Sequence, residues 1–418
     1  MSLSTYEWAD SVINACPRYE TGFTELLAAK PYRMSPTALR LYDSRLLLIR
    51  SFQKTAIDLF KAALREDVHP AILHWLINET PDSLGVGYHR RLEDRHFSLP
   101  VFFRTDEVQP GRLIEINSPA ALWGELQLAF ELAARLGCCA DEASPADQYA
   151  AQLTDFLGCT PVVHHFLDKS SNPGGWRYFI ERTRPRLRYL GIDRGVRAAD
   201  CNFIRYQAFV DLEQDENFPM RFSKVGQGVT FDSPPYMLFD QKAALVLPFW
   251  SMTRTFFPDD IRALFPFTTP LLPTGIEPPD GRCITVEEFS HWPRSQRSYY
   301  LKYAGSDWIL NYGSRAVYRL SNMSSAACLD FLRRCLNQYE GGHIWLLQQE
   351  QTQDDEISYL TRDGRLESGC LRAKFAGFYG PAGCLGVLAM HSRHNKVHGQ
   401  PDTVLSYVLA ESEGRNPA

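Results

Sequence analysis

The sequence predicts a protein that mixes α/β and α+β organisation behind a helical N-terminal region, and three observations predict it. Over the first ~95 residues, apolar side chains recur at steps of three and four, the spacing of an amphipathic helix. From about Leu99, short strand-like runs alternate with helical patterns, the signature of α/β organisation. From about Ser298, strands dominate and one helix is set among them, which is α+β in character.

Each element follows from a local cue. Ser35-Pro36 supplies an N-cap and a proline at the first helical position. Leu39, Tyr42, Leu46 and Ile49 then carry the apolar stripe to about Leu64, and His69-Pro70 breaks it before a shorter helix through Leu76. Val101-Phe-Phe-Arg and Leu113-Ile-Glu-Ile flank Gln109-Pro110-Gly111, so they read as a hairpin closed by a type II turn. Ala120–Leu136 reads as a helix ended by Gly137, and a further helix spans about Asp147–Leu157. A strand at Pro161–Phe166, a polar loop at Ser170–Gly175, a helix and a strand at Leu187–Gly191 follow. Residues 200–250 hold more strand-like runs, and the proline-dense Pro258–Pro279 reads as a connecting arm. The last block reads as strand Ser298–Tyr303, strand Ala316–Leu320, helix Ser324–Leu336 and strand His343–Gln349. Strands at Glu356–Thr361, Gly369–Phe375 and Leu385–His391 then precede a polar tail from Glu411. The expected divisions are 1–95 (helical), 96–290 (hairpin and α/β region) and 291–418 (strand-rich α+β region).

Composition narrows the function. A net charge of −5 argues against nucleic acid as the main partner, because phosphate binding needs a basic surface. No apolar run reaches the ~18 residues of a membrane span. The residues from Met1 show no basic segment followed by an apolar one, so a cytoplasmic location is expected. The ten cysteines form no CxxC pair and read as free thiols in a reducing compartment.

The sharpest constellation is Arg104-Thr-Asp106 with Glu115-Ile-Asn117. Residues i and i+2 of a strand share a face, so pairing of the two strands brings all four polar groups together. Two carboxylates and an amide oxygen are hard ligands suited to Mg²⁺, which keeps few protein ligands and takes the rest from water and phosphates. Arg104 beside them suits a bidentate grip on phosphate. An exposed hairpin with a surface ion pair fits the same spacing. A second feature is Lys302 in Tyr300-Leu-Lys-Tyr, just before Gly305-Ser306, where a lysine and loop N–H groups suit phosphate. An edge-strand lysine followed by a turn is the commoner explanation of the same residues. The third is His343–Glu350, an apolar strand ending in Gln348, Gln349 and Glu350, suited to an adenine edge or simply leaving the core. His391, His394 and His398 have HxxHxxxH spacing, a weak zinc candidate with no long helix to hold it.

Together these residues resemble a known family. R-x-D followed by E-x-N is similar to the magnesium and phosphate motif of glutathionylspermidine synthase-like ligases. These are ATP-grasp enzymes whose metal motif precedes the nucleotide lysine, a circularly permuted order. Asp240-Gln-Lys242-Ala-Ala-Leu resembles that family's N-K-x-x-L segment, and Phe265-Pro-Phe-Thr-Thr-Pro its proline-threonine stretch. Leu301-Lys302 with Gly305 resembles its lysine strand and phosphate lid, although tyrosine follows the lysine where the family usually has proline. Trp345-Leu-Leu-Gln348-Gln349 resembles its adenine-linker strand. The likeness runs, with gaps, from about Phe102 to Val408. It implies an ATP-grasp architecture and ATP-dependent joining of a small-molecule carboxylate to an amine through an acyl phosphate. Asp106, Glu115 and Asn117 would hold Mg²⁺, and Arg104 would be catalytic. Lys302, Gly305 and Ser306 would bind the ATP phosphates, with Gln348, Gln349 and Glu350 lining the adenine. A phosphotransferase using the same ATP site, and a non-catalytic nucleotide-binding or scaffolding protein, remain as alternatives.

Overall fold

The computed structural model describes residues 25–77, 86–139, 142–166, 173–192, 200–206, 215–233, 237–311, 315–361, 363–394, 397 and 402–411. The strands are β1 (Leu26–Ala28), β2 (Tyr32–Met34), β3 (Phe103–Gln109), β4 (Arg112–Asn117), β5 (Val162–His165), β6 (Arg188–Gly191), β7 (Asn202–Arg205), β8 (Val229–Phe231), β9 (Thr268–Leu271), β10 (Tyr299–Tyr303), β11 (Val317–Arg319), β12 (Trp345–Gln349), β13 (Asp354–Leu360), β14 (Leu366–Tyr379), β15 (Cys384–Ser392) and β16 (Val404–Ala410). The longer helices are α1 (Pro36–Ser44), α2 (Leu46–Leu64), α3 (Pro70–Ile77), α4 (Trp123–Arg135), α5 (Pro145–Leu157), α6 (Pro173–Thr183) and α7 (Ser325–Leu336). No described helix is long and apolar enough to cross a membrane.

The mixed α and β character holds, and three sheets carry it. The largest runs β13-β1-β16-β15-β14-β3-β4, with β2 also paired to β16. β14 shows how it is packed. Its Ala373, Phe375 and Tyr379 join a core containing Tyr42, Phe52 and Trp75 of α1 to α3. Its Ala376 and Phe378 join a second core containing Trp123 of α4, Tyr149 of α5 and Trp176 of α6. The period of two thus sends alternate side chains into opposite helical layers, which is why this stretch of β14 is buried on both faces.

The second sheet, β11-β10-β12-β9, is antiparallel. Leu301, Tyr303, Trp345 and Leu347 face Cys328 and Leu332 of α7 in a third core. Leu346, with Ala304 and Ile344 at the strand ends, joins the first core instead. Alternation therefore turns Lys302 and Gln348 away from α7 and toward β3 and β4. The third sheet, β6-β5-β7-β8, is wholly parallel.

Several readings change. Residues 25–95 are not purely helical: β1 and β2 precede α1, and β1 is held between β13 and β16. The long helix predicted from Pro36 to Leu64 breaks at Arg45, which turns inward to Glu107 and Tyr379. The stretch 258–279 is no arm, because Thr268–Leu271 forms β9 and is buried throughout. Its Pro270 is tolerated because β9 is an edge strand. β16 has no counterpart among the elements the sequence predicts. Residues 1–24, and most of the polar tail beyond Glu411, lie outside the described residues.

Candidate functional site

The site begins with the hairpin. β3 and β4 pair antiparallel with Arg104 opposite Asn117 and Asp106 opposite Glu115. Gly111 has φ 90°, the value a type II turn requires at its third residue. The hairpin is not a surface feature, because Arg104 and Asp106 are both buried. β14 covers β3 from the other side and brings Lys374 alongside.

Asp106 lies between two cations. Arg104 Nε donates to its Oδ1 at 2.8 Å and Lys374 Nζ lies 2.7 Å from its Oδ2. Burial alone would raise its pKa, but Arg104 and then Lys374 hold it below the usual carboxylate range. Glu115 lies 3.0 Å from Lys242 Nζ. Burial and the nearby Asp106 charge oppose its ionisation, and Lys242, Lys374 and Lys302 together outweigh them and lower its pKa. Lys242 is fixed in turn by Asn311, whose Oδ1 accepts from it at 2.7 Å and whose Nδ2 donates to the Asp240 carbonyl at 2.9 Å.

The second sheet supplies the opposite wall. Lys302 Nζ donates to Gln348 Oε1 at 2.6 Å, and Gln348 Nε2 reaches the Ile114 carbonyl of β4 at 3.3 Å. Among the described residues no carboxylate forms an ion pair with Lys302, which bonds to Gln348 instead. Burial lowers its pKa to about 8, Glu115 pulls it upward, and Lys242 and Lys374 push it down. It sits inside its sheet, between β11 and β12, so the edge-strand reading does not hold.

Arg104, Lys242, Lys302 and Lys374 therefore surround two ionised carboxylates, Asp106 and Glu115. A buried excess of positive charge is costly unless an anion completes it. Glu125, in the first turn of α4, adds no negative charge near neutrality. Burial raises its carboxyl pKa to about 8; Glu25 adds to the rise and Arg104 opposes it.

The remaining predicted residues divide. Gly305 and Ser306 are buried in the loop after β10, close behind Lys302. Gln348 enters the cluster, whereas Gln349 is exposed on the other face of β12. Glu350 turns to Arg319 and to Ser298, whose Oγ donates to it at 3.2 Å. Asn117 Nδ2 is buried without a hydrogen-bond partner among the described residues. Among the described residues no group of three or more His, Cys, Asp or Glu gathers as metal ligands. Of the histidine triplet, His391 is buried against Asp355, His394 is exposed near Asp402, and His398 lies outside the described residues. Tyr312, Gly313 and Ser314 also lie outside them.

Lys242, Lys374, Asn311 and Glu125 are site residues that motif reading missed. Lys242 lies in the stretch resembling N-K-x-x-L, the one signal that pointed toward it. A lone lysine in an apolar strand or a glutamate in a first helical turn gives none.

No protein-family profile matches the chain, and no curated protein matches it by sequence. Among solved structures it is similar to a glutathione synthetase-like effector from Globodera pallida, determined in its apo form. The TM-score is 0.54, the identity 12%, and the match covers 97% of each chain. The likeness is one of fold.

Proposed function

We propose that the chain is an ATP-dependent ligase of ATP-grasp type, with the metal motif preceding the nucleotide lysine, which joins a carboxylate to an amine. The observation that carries this reading is the uncompensated positive charge of Arg104, Lys242, Lys302 and Lys374 around Asp106 and Glu115. Such a site calls for a polyanion, and a nucleoside triphosphate with Mg²⁺ meets that need. The whole-chain fold likeness to a glutathione synthetase-like protein supports the same class.

The donor set suits Mg²⁺. Asp106 and Glu115 are hard oxygen donors facing each other in register. Turning the Asn117 amide over would replace its unpartnered nitrogen with an oxygen. A protein that offers few ligands leaves the others to phosphate and water, as Mg²⁺ prefers. When bound, the metal would draw charge from the phosphate oxygens. Lys374 and Lys242, now on the two carboxylates, would turn toward phosphate oxygens as the metal takes their place. Lys302 would neutralise phosphate charge. Arg104 would present its planar fork to the transferring phosphoryl group. The substrate carboxylate would attack the γ-phosphate to give an acyl phosphate and ADP, and the amine would then displace phosphate.

The test is to trap the acyl phosphate. The chain with Mg²⁺ and ATP is incubated with a panel of carboxylic acids and hydroxylamine. A hydroxamate that depends on Mg²⁺ is expected with the right acid. A stable phosphorylated product with no hydroxamate would replace the ligase by a phosphotransferase.

A further inference from the structure

Glu125 has a position that its helix does not explain. It is buried in the first turn of α4, and its Oε2 has no hydrogen-bond partner among the described residues. A buried carboxyl oxygen without a partner is costly and stays in a fold where a ligand can answer it. The chain makes room for it. A Cβ added to Gly175 in α6 would come within 2.6 and 2.8 Å of the two Glu125 oxygens. A Cβ on the preceding Gly124 would come within 1.9 Å of the Gly175 carbonyl, so α4 and α6 meet backbone to backbone here.

The turn leading into α4 is tied to the candidate site. Arg104 Nη1 donates to the Ala121 carbonyl at 3.2 Å, and Arg205 Nη2 donates to the Ala120 carbonyl at 2.5 Å. Arg104 thus holds the turn that precedes Glu125, and its charge also acts on the Glu125 carboxyl. The charged groups that act on it are Glu25 and Arg104. Arg205, held by Asp232 and the Ala120 carbonyl, is already committed. Among the described residues no lysine pairs with Glu125, whereas Lys374 pairs with Asp106 and Lys242 with Glu115.

We propose that Glu125 receives the ammonium group of the amine substrate and takes a proton from its nitrogen. This rests on the ligase reading for its place in the reaction. An alkylammonium has no lone pair and loses two protons on becoming an amide. One would pass to the Glu125 carboxylate before attack. The nitrogen lone pair then forms the C–N bond, the C–O bond to phosphate breaks, and the second proton leaves with phosphate. A carboxyl titrating near 8 accepts a proton from an ammonium far better than an ordinary glutamate does.

The test uses the full chain without nucleotide, so it stands apart from ATP turnover. Ethylammonium chloride is titrated calorimetrically at constant ionic strength, from pH about 6 to about 10, with tetramethylammonium chloride as a cation lacking N–H donors. Wild type should bind ethylammonium in preference to tetramethylammonium, with affinity rising as pH approaches 8. Glu125→Gln should weaken ethylammonium binding at pH 8 about tenfold or more and remove the pH dependence, with an unchanged Tm. In infrared spectra, a protonated-carboxyl band lost through pH about 8 should be present in wild type and absent from the variant. Equal affinities in the two proteins, or equal binding of the two cations, would overturn the assignment. Normal ammonium binding with no ATP turnover on any acid would instead count against the ligase reading.

Discussion

The two faces of strand β3 hold similar residues to opposite ends. On one face, Thr105 and Glu107 meet Arg45, which donates from both terminal nitrogens to the Glu107 carboxylate and from Nε to Tyr379 Oη at 2.9 Å. Thr105 Oγ1 at 3.1 Å and the Gly111 N–H at 2.9 Å also donate to Glu107. One cation meets one anion there, and that anion is fully hydrogen-bonded. On the other face, Arg104 and Asp106 lie among three lysines and only one further ionised carboxylate, Glu115. Burial is nearly the same on both faces. The balanced face is part of the architecture, tying the hairpin to α1 and β14, and the excess positive charge of the other face is what the proposed polyanion would complete.

Four changes would break or sharpen that contrast. The largest effect is expected from Glu115→Gln, which should reduce ATP turnover on the order of a thousandfold by removing a metal-holding charge. Glu115 is the better choice than Asp106 because its side chain is 20% exposed, so its loss strands less buried charge. Wild-type turnover at saturating Mg²⁺ would remove the hairpin from the chemistry. On the balanced face, Glu107→Gln should cost about 3–5 kcal/mol in urea unfolding, because Arg45 is left buried without its counter-charge. A loss under 1 kcal/mol would mean that the pair is less structural than its burial implies. Lys302→Met keeps the apolar stem and removes the charge, so ATP should bind about tenfold more weakly with little change in Tm. An unaltered Kd would set Lys302 outside the nucleotide site.

The smallest effect is a pH dependence. With a folded pKa of about 8 against an unfolded value of about 10.4, Lys302 is protonated in both states below pH 8, where its burial penalty is complete. Between those values only the unfolded chain holds the proton, so this group's contribution to stability rises with pH. ATP affinity should move the other way, falling above pH 8 as Lys302 loses its charge. Lys302→Met should flatten both trends, and a Kd that is constant from pH 7 to 9.5 in wild type would contradict the assignment.

The legible part of the site was the part written in one strand period. Arg104, Asp106, Glu115 and Asn117 lie within fourteen residues, so alternation and one turn sufficed to bring them together. Lys374 reaches Asp106 through the pairing of β14 with β3, and such distant register leaves no trace in either segment. Glu125 resembles any acid in a first helical turn, and only burial shows otherwise. Gln349 illustrates the converse: its neighbour Gln348 points into the cluster, and the same alternation sends Gln349 out. Longer elements such as α5 and β15 were legible from their own sequence, whereas β1 and β2 are three residues each and take their form from β16.

The place of β1 has a consequence for how the chain comes into being. β1 lies between β13 and β16, parallel to the latter, and β2 adds to β16 as well. During synthesis at about 5–20 residues per second, residues 26–34 therefore leave the ribosome roughly 20–80 s before their partner strand exists. Helices α1 to α3 can condense early, but the largest sheet cannot close until Val404–Ala410 has emerged. A nascent chain stalled before residue 404 should remain open to protease around Leu26–Met34, and a chain extended past Ala410 should not.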